Sequence, residues 1–293
     1  MAARNNGDPS SAILLISCPD QRGLIAEITN FIFEHNGNIL DLDQHVDQEE
    51  NVFFQRVQWS LEGFKLAPEE IGPKFERIAD KFDMKWSLRF SKQPMKLALF
   101  VSKEDHCLYD ILARYQAGEW HVEIPLIISN HNTLEHIAKQ FDIPFHVFPI
   151  TKENKRNQEK EQLQLLREHD IDTIILARYM QILTADFVSE YPNRIINIHH
   201  SFLPAFAGAR PYHQAYGRGV KIIGATSHYV TADLDAGPII EQDVMRVYHR
   251  DAIKDLIRKG KDLEKLVLSK ALWHHIQHHV LVYNNKTVIL GSS

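Results

Sequence analysis

Ile195-Ile196-Asn197-Ile198-His199-His200-Ser201-Phe202-Leu203-Pro204 reads as a strand that stays apolar until its carboxyl end, where it releases an amide and two imidazoles. Open α/β sheets hold their ligands beyond the carboxyl ends of the strands, so a site belongs there. Two readings of Asn197 and His199 stand at this point: they cap the strand end, or they face a ligand. Upstream, apolar runs at Leu97–Val101, Ile124–Ser129, Phe145–Phe148, Thr173–Ala177 and Arg194–Ile198 alternate with helical stretches near 106–117, 132–141, 155–169 and 183–190. That alternation predicts a mostly parallel sheet, Rossmann-like, covered by helices on both faces. Downstream come two close strands, Lys221–Val230 and Ile239–Val247, and then helices expected near 251–259 and 261–282.

The first ninety residues follow a different rule. Ala12–Ser17 is a strand, and Asp20 and Gly23 shape the turn into a helix whose apolar positions Leu24, Ile25, Ile28, Phe31 and Ile32 keep a 3.6-residue period. Gly37 is its expected cap. Ile39–Val46 and Val52–Leu61 read as a hairpin about the polar turn 47–51, Pro68 opens a second helix, and Met84–Phe90 closes the unit. The order βαββαβ predicts a ferredoxin-like sandwich. Ser91-Lys92-Gln93-Pro94 is polar and breaks the strand pattern, so the expected domains are 10–92 and 95–293.

Composition narrows the class. With 33 Lys+Arg against 38 Asp+Glu, the formal charge of −5 gives no bulk field that would draw nucleic acid or an anionic membrane. Two cysteines, Cys18 and Cys107, are too few for a disulfide framework or a four-thiolate metal site. The apolar runs fall far short of the ~20 residues that cross a bilayer, and the first ten residues carry no apolar signal region. The expectation is a cytoplasmic protein with no nucleic-acid or membrane partner. His274, His275, His278 and His279 form i, i+4 pairs, but no carboxylate accompanies them as in a zincin helix, so no metal site is expected.

A second polar segment tips the balance towards a site. Leu234-Asp235-Ala236-Gly237-Pro238 places a carboxylate in a turn whose glycine permits a tight backbone path. An amide, an imidazole and a carboxylate in one crevice suit acyl chemistry. Asn197-Ile198-His199, Ser201-Phe202-Leu203-Pro204 and Leu234-Asp235-Ala236-Gly237 together resemble the folate-dependent formyltransferases, a family that includes the glycinamide ribonucleotide enzymes. The longer stretches His199–Phe206 and Gly208–Tyr216 are similar to its formyltetrahydrofolate deformylase branch. Cys18-Pro19-Asp20-Gln21-Arg22-Gly23-Leu24-Ile25 and Asn36-Gly37-Asn38-Ile39 resemble an ACT domain, the amino-acid-sensing module with which that branch begins.

The resemblance implies hydrolysis of 10-formyltetrahydrofolate to formate and tetrahydrofolate, adjusting the one-carbon folate pool and feeding formate to purine synthesis. It implies Asn197, His199 and Asp235 as catalytic residues, and Met180, Gln181, Ile182, Leu183, His228 and Gly237 as substrate contacts. Asn197 and His199 would hold the formyl oxygen as its charge grows. Either Asp235 or His199 would accept the first proton. No cofactor beyond the folate substrate is expected. The ACT resemblance implies a homo-oligomer and an amino-acid effector, glycine or methionine, at Gly23, Leu24 and Asn38. Two rivals stand: transfer of the formyl group to an amine, and a binding protein without catalysis. Ser102-Lys103-Glu104-Asp105-His106-Cys107 weighs against the first, since it offers no glycine-rich cradle and its acids would repel a phosphate.

Overall fold

The structure is a computed structural model that describes residues 10–204 and 211–291. It divides into two units. The first comprises 10–94, 278–283 and 288–291 and the second 95–204, 211–277 and 284–287 of the described residues.

In the first unit β1 (Ser11–Pro19), α1 (Leu24–Glu34), β2 (Asn38–Asp47), β3 (Val52–Ser60), α2 (Pro68–Lys81) and β4 (Lys85–Phe90) give the expected βαββαβ order, in an antiparallel sheet ordered β2-β3-β1-β4. Period-two alternation sets both faces of β3. Phe53, Val57 and Trp59 join Leu14, Ile16, Ile28 and Phe75 in the core under the helices. Val52 and Phe54 point the other way and are covered by Leu281, Tyr283, Val288 and Leu290. That cover is why the C-terminal segments group with the first unit, whereas the sequence places everything after residue 95 in the second. The turn after α1 also differs. Asn36, not Gly37, takes the left-handed conformation (φ 63°), and Gly37 is needed because a Cβ there would lie 2.6 Å from Cγ2 of Ile32.

The second unit contains β5 (Met95–Val101), α3 (His106–Ala117), β6 (Val122–Ser129), α4 (Glu135–Gln140), β7 (Phe145–Val147), α5 (Lys155–Glu168), β8 (Thr173–Leu176), α6 (Ala185–Glu190), β9 (Ile195–His199), α7 (Pro211–Arg218), β10 (Ile222–Tyr229), β11 (Ile239–Arg246) and α8 (Ile253–Ile276). β12 (Val280–Tyr283) and β13 (Lys286–Ile289) form a separate two-stranded hairpin. The main sheet runs β11-β10-β9-β8-β5-β6-β7. β5 to β9 are parallel, while β10 is antiparallel to both its neighbours. The chain leaves β5 towards β6 and returns to β8 on the other side, so the ends of β5 and β8 mark the reversal of strand order. Among the described residues no helix is long and apolar enough to cross a membrane.

One helix replaces the two expected near 251–259 and 261–282, and the hairpin takes the tail of the second. Gly260 suggests a break, but it serves close packing: a Cβ there would fall 2.0 Å from the Tyr212 hydroxyl, which donates to Oε1 of Glu264 at 2.7 Å. On an open helix, Gly→Ala gains about 1 kcal/mol. Gly260→Ala is expected to do the reverse, displacing Tyr212 from a buried carboxylate and lowering the thermal unfolding midpoint. A rise in that midpoint would contradict the packing role.

Candidate active site

The polar residues of β9 converge through strand geometry. Alternation puts Asn197 and His199 on one face, and the antiparallel register sets His228 opposite Asn197 and Thr226 opposite His199. Asn197 Nδ2 lies 3.2 Å from Nε2 of His228, and His228 Nδ1 lies 2.9 Å from the Tyr229 carbonyl. A carbonyl only accepts, so the His228 proton sits on Nδ1, and its bare Nε2 receives one Asn197 N–H. The second Asn197 N–H is left for another acceptor.

Asp235 comes from the connection between β10 and β11, where it adopts φ 55°. Its carboxylate lies 3.4 Å from Nδ1 of His199 and 3.8 Å from Nε2 of His228. The hydrogen bond from His199 holds the Asp235 carboxyl below its ordinary value, against the opposing effect of burial, and the fields of His199, His228 and His200 add to it. Burial keeps His228 below the usual imidazole range. Because Nδ1 of His199 faces Asp235, its Nε2 faces elsewhere: that nitrogen is buried and has no hydrogen-bond partner among the described residues. A buried orphan donor or acceptor is costly, and a bound ligand is one way to satisfy it.

Gly237 closes this loop onto the strand. A Cβ there would sit 1.8 Å from the Tyr229 oxygen, the same carbonyl that fixes the His228 tautomer. Its part is close backbone packing. Met180, Gln181 and Ile182 follow β8, whose Leu176 is the register partner of Asn197. Met180 and Ile182 are each 59% exposed, an apolar surface offered at the carboxyl end of the sheet, whereas Leu183 is buried in the core with Phe187 and Tyr179. The loop is pinned at both ends. Ser102 Oγ accepts from Met180 N at 2.9 Å, and Glu159 accepts from Thr184 N at 3.1 Å, while Lys155 donates to the Ile182 carbonyl.

Gly23 (φ 95°) precedes α1, and Leu24 is buried in the core of the first unit. Asn38 opens β2, beyond the other end of that 11-residue helix, about 16 Å away at 1.5 Å per residue. Gly23 and Asn38 therefore cannot both touch one amino acid within a single chain.

Sequence reading missed a buried cluster beside the site. Glu264 accepts from Tyr212 and, at 2.8 Å, from Nε2 of His106; Arg178 Nε lies 3.4 Å away without hydrogen-bond alignment, and Arg178 Nη1 lies 2.6 Å from Nδ1 of His200. The signal was present: Glu264 occupies a core position between Leu263 and Val267. His106, Cys107 and Glu264 offer donor atoms within 4.8 Å of one another, but burial pushes the Cys107 thiol well up and the carboxylate is already engaged. Nearby, Glu104 pairs with Lys261 at 2.6 Å, which removes much of the phosphate repulsion expected of that loop. His275 is occupied by Thr173 and Tyr229 at 2.9 and 2.8 Å.

Residues 95–272 match the formyl transferase family model and residues 12–79 the ACT domain model. A formyltetrahydrofolate deformylase of Synechocystis sp. is 57% identical over 281 residues, spanning 96% of this chain and 99% of the relative. The chain belongs to the formyltetrahydrofolate deformylase family. The crystal structure of such a deformylase from Pseudomonas syringae pv. tomato superposes with a TM-score of 0.95 at 43% identity, covering 98% of this chain and 96% of that one. Glycinamide ribonucleotide transformylase 1 from Symbiobacterium toebii reaches a TM-score of 0.64 at 28% identity, and its chain, 98% covered, accounts for only 70% of this one. Membership in the deformylase family thus extends over both units, whereas likeness to the transferase stops short.

Burial, then the Arg178 charge, push the His200 imidazole down to about 4, while an unfolded histidine titrates near its ordinary value. Below that ordinary value the unfolded state takes the proton first, so folding stability is full above about pH 6.5 and falls towards pH 4, by up to about 3 kcal/mol. Urea unfolding across this window is expected to show a shallower fall in His200→Gln; an unchanged slope would refute the assignment.

Proposed function

We propose that water attacks the formyl carbon of 10-formyltetrahydrofolate between Asn197, His199 and Asp235. The reaction is the family's own: the folate substrate and water give tetrahydrofolate and formate. The orphaned Nε2 of His199 carries the assignment, because among the described residues it is the one buried side-chain nitrogen of Asn197, His199 and His228 that has no hydrogen-bond partner, while Nδ1 of the same ring faces Asp235.

A single proton accounts for the chemistry. Asp235 holds Nδ1–H, so the lone pair of neutral His199 is on Nε2 and takes a proton from the attacking water. The hydroxyl oxygen bonds to the formyl carbon, and the carbonyl electrons move onto the formyl oxygen. The free N–H of Asn197 and the new Nε2–H of His199 stabilise that oxygen, while Asp235 stabilises the imidazolium. Collapse re-forms the carbonyl and expels N10, which takes the proton back from Nε2, and formate leaves. Asp235, held below the carboxylate range, is a weak base and serves by orientation and charge. The reaction so written uses the folate, water and these three side chains. Met180 and Ile182 supply an apolar wall for the pterin.

Cys18 and Cys107 are buried free thiols, in keeping with a reducing cytoplasm as the place of action, where the released formate would supply purine synthesis. Gly23 and Asn38, too far apart in one chain, are brought into one effector site by pairing two copies, so a homo-oligomer binding glycine or methionine at such an interface is part of the proposal.

Formate release from 10-formyltetrahydrofolate as sole substrate is expected to proceed without acceptor and to be unchanged by added glycinamide ribonucleotide. Asn197→Ala should lower kcat by about 10²–10³, the usual loss of one oxyanion donor. Asp235→Asn should cost about 10³–10⁴ by releasing the tautomer. His199→Ala with normal formate release would overturn the reading. Calorimetry with glycine and with methionine is expected to show saturable binding that Gly23→Val and Asn38→Ala each weaken; no binding of either amino acid would remove the effector proposal.

A further inference from the structure

We infer that Arg178, ion-paired with Glu264, is a positioning residue for the reaction: it donates to Nδ1 of His200, leaves the His200 proton on Nε2, and so fixes the ring against which His199 stacks. The inference rests on His199 as the reacting histidine.

Arg178 stands just past β8 with φ 63°, a left-handed conformation that costs a non-glycine residue about 1–3 kcal/mol and persists only where the surroundings hold it. Its counter-charge is Glu264, from α8, 3.4 Å from Arg178 Nε, whose carboxylate is almost wholly buried and accepts hydrogen bonds from Tyr212 and His106. This conformation aims Arg178 Nη1 at Nδ1 of His200, 2.6 Å away. A guanidinium has donors and no acceptor, so Nδ1 of His200 must accept, and a neutral imidazole then carries its one proton on Nε2. The His200 ring lies 5.2 Å from that of His199, centroid to centroid, with an interplanar angle of 24°. His199 is thus fixed by Asp235 at Nδ1 and by the His200 ring on one face.

A purely structural ion pair would tie α8 to the sheet and influence stability alone. The groups around His200 argue for more. Arg178 faces it from the end of β8, Glu264 from α8, Tyr212 from α7, and His199 and Asp235 act from β9 and the β10–β11 connection. His106 and Cys107 of α3 and Lys261 of α8 act on the same carboxylate or its neighbour Glu104. Burial and Arg178 disfavour a charged His200, whereas Glu264 and Asp235 favour one. Removing the arginine frees the His200 tautomer, so the ring against which His199 stacks loses its fixed proton position at neutral pH, and in acid a protonated His200 sits against His199 and competes for Asp235.

The test is nitrogen-15 NMR of histidine-labelled, full-length enzyme, with steady-state kinetics on the same samples. In the wild type, His200 is expected to show bare Nδ1 and protonated Nε2 without titrating between about pH 5.5 and 8. In Arg178→Gln, its protonation midpoint should rise by about a unit, with the acid limb of the kcat profile moving up. There kcat should fall about tenfold or more with little change in KM, and Arg178→Lys should restore part of it. A wild-type His200 protonated on Nδ1 overturns the inference even where the variant fails to fold. So does an Arg178→Gln enzyme with wild-type kcat, or one with lowered kcat but an unaltered His200 signal. His199→Ala with normal turnover would remove the underlying reading while the His200 tautomer still stood.

Discussion

β9 is parallel to β8 on one side and antiparallel to β10 on the other, and the register of that antiparallel pair puts His228 across from Asn197. A slip of one residue would turn Asn197 and His199 to the opposite face. The proposed reacting groups Asn197 and His199 are therefore placed by backbone hydrogen bonding between strands whose apolar residues are buried, rather than by a loop. Asp235 alone is delivered by a loop, and that loop is constrained by Gly237 pressed on the Tyr229 carbonyl. One carbonyl thus limits the path of the loop and fixes the tautomer of His228.

Around this pair the electrostatics are arranged in one direction. Asp235 stays charged because of its imidazole neighbours; His200 and His228 stay neutral, chiefly because they are buried. A single carboxylate facing several neutral rings leaves His199 with one tautomer and one free nitrogen. Glu264 provides the counter-charge for Arg178 on the far side of His200, so that buried charge pair is separated from the Asp235 carboxylate by a ring that carries none.

Much of this was legible in the sequence because the signals were periodic or local. The apolar runs and their spacing gave every strand of the main sheet, and the Asn-x-His spacing at the end of one run placed Asn197 and His199 on one face of the candidate site, since residues two apart share a face. What escaped depended on contacts between distant segments. Gly260 looks like a helix break until Tyr212 is seen against it, and the C-terminal hairpin has no pattern apart from the Val52 and Phe54 face it covers. Asn36 and Gly37 exchanged roles for the same reason: the crowding at Gly37 comes from Ile32. Leu183 matches a family motif by position yet packs inward with Phe187, which composition alone could not separate from the exposed Met180 and Ile182. Glu264 interrupts an apolar stripe, and a buried carboxylate needs partners that only the fold reveals.

In the proposed reaction, the side chains set by the β9–β10 register hold the formyl group while solvent attacks it. A crystal structure with a non-hydrolysable 10-formyl folate analogue tests it most directly. The formyl oxygen is expected about 3 Å from Asn197 Nδ2 and His199 Nε2, the distance at which such donors act, with the pterin against Met180 and Ile182. An analogue bound with its formyl oxygen out of reach of both nitrogens would contradict it.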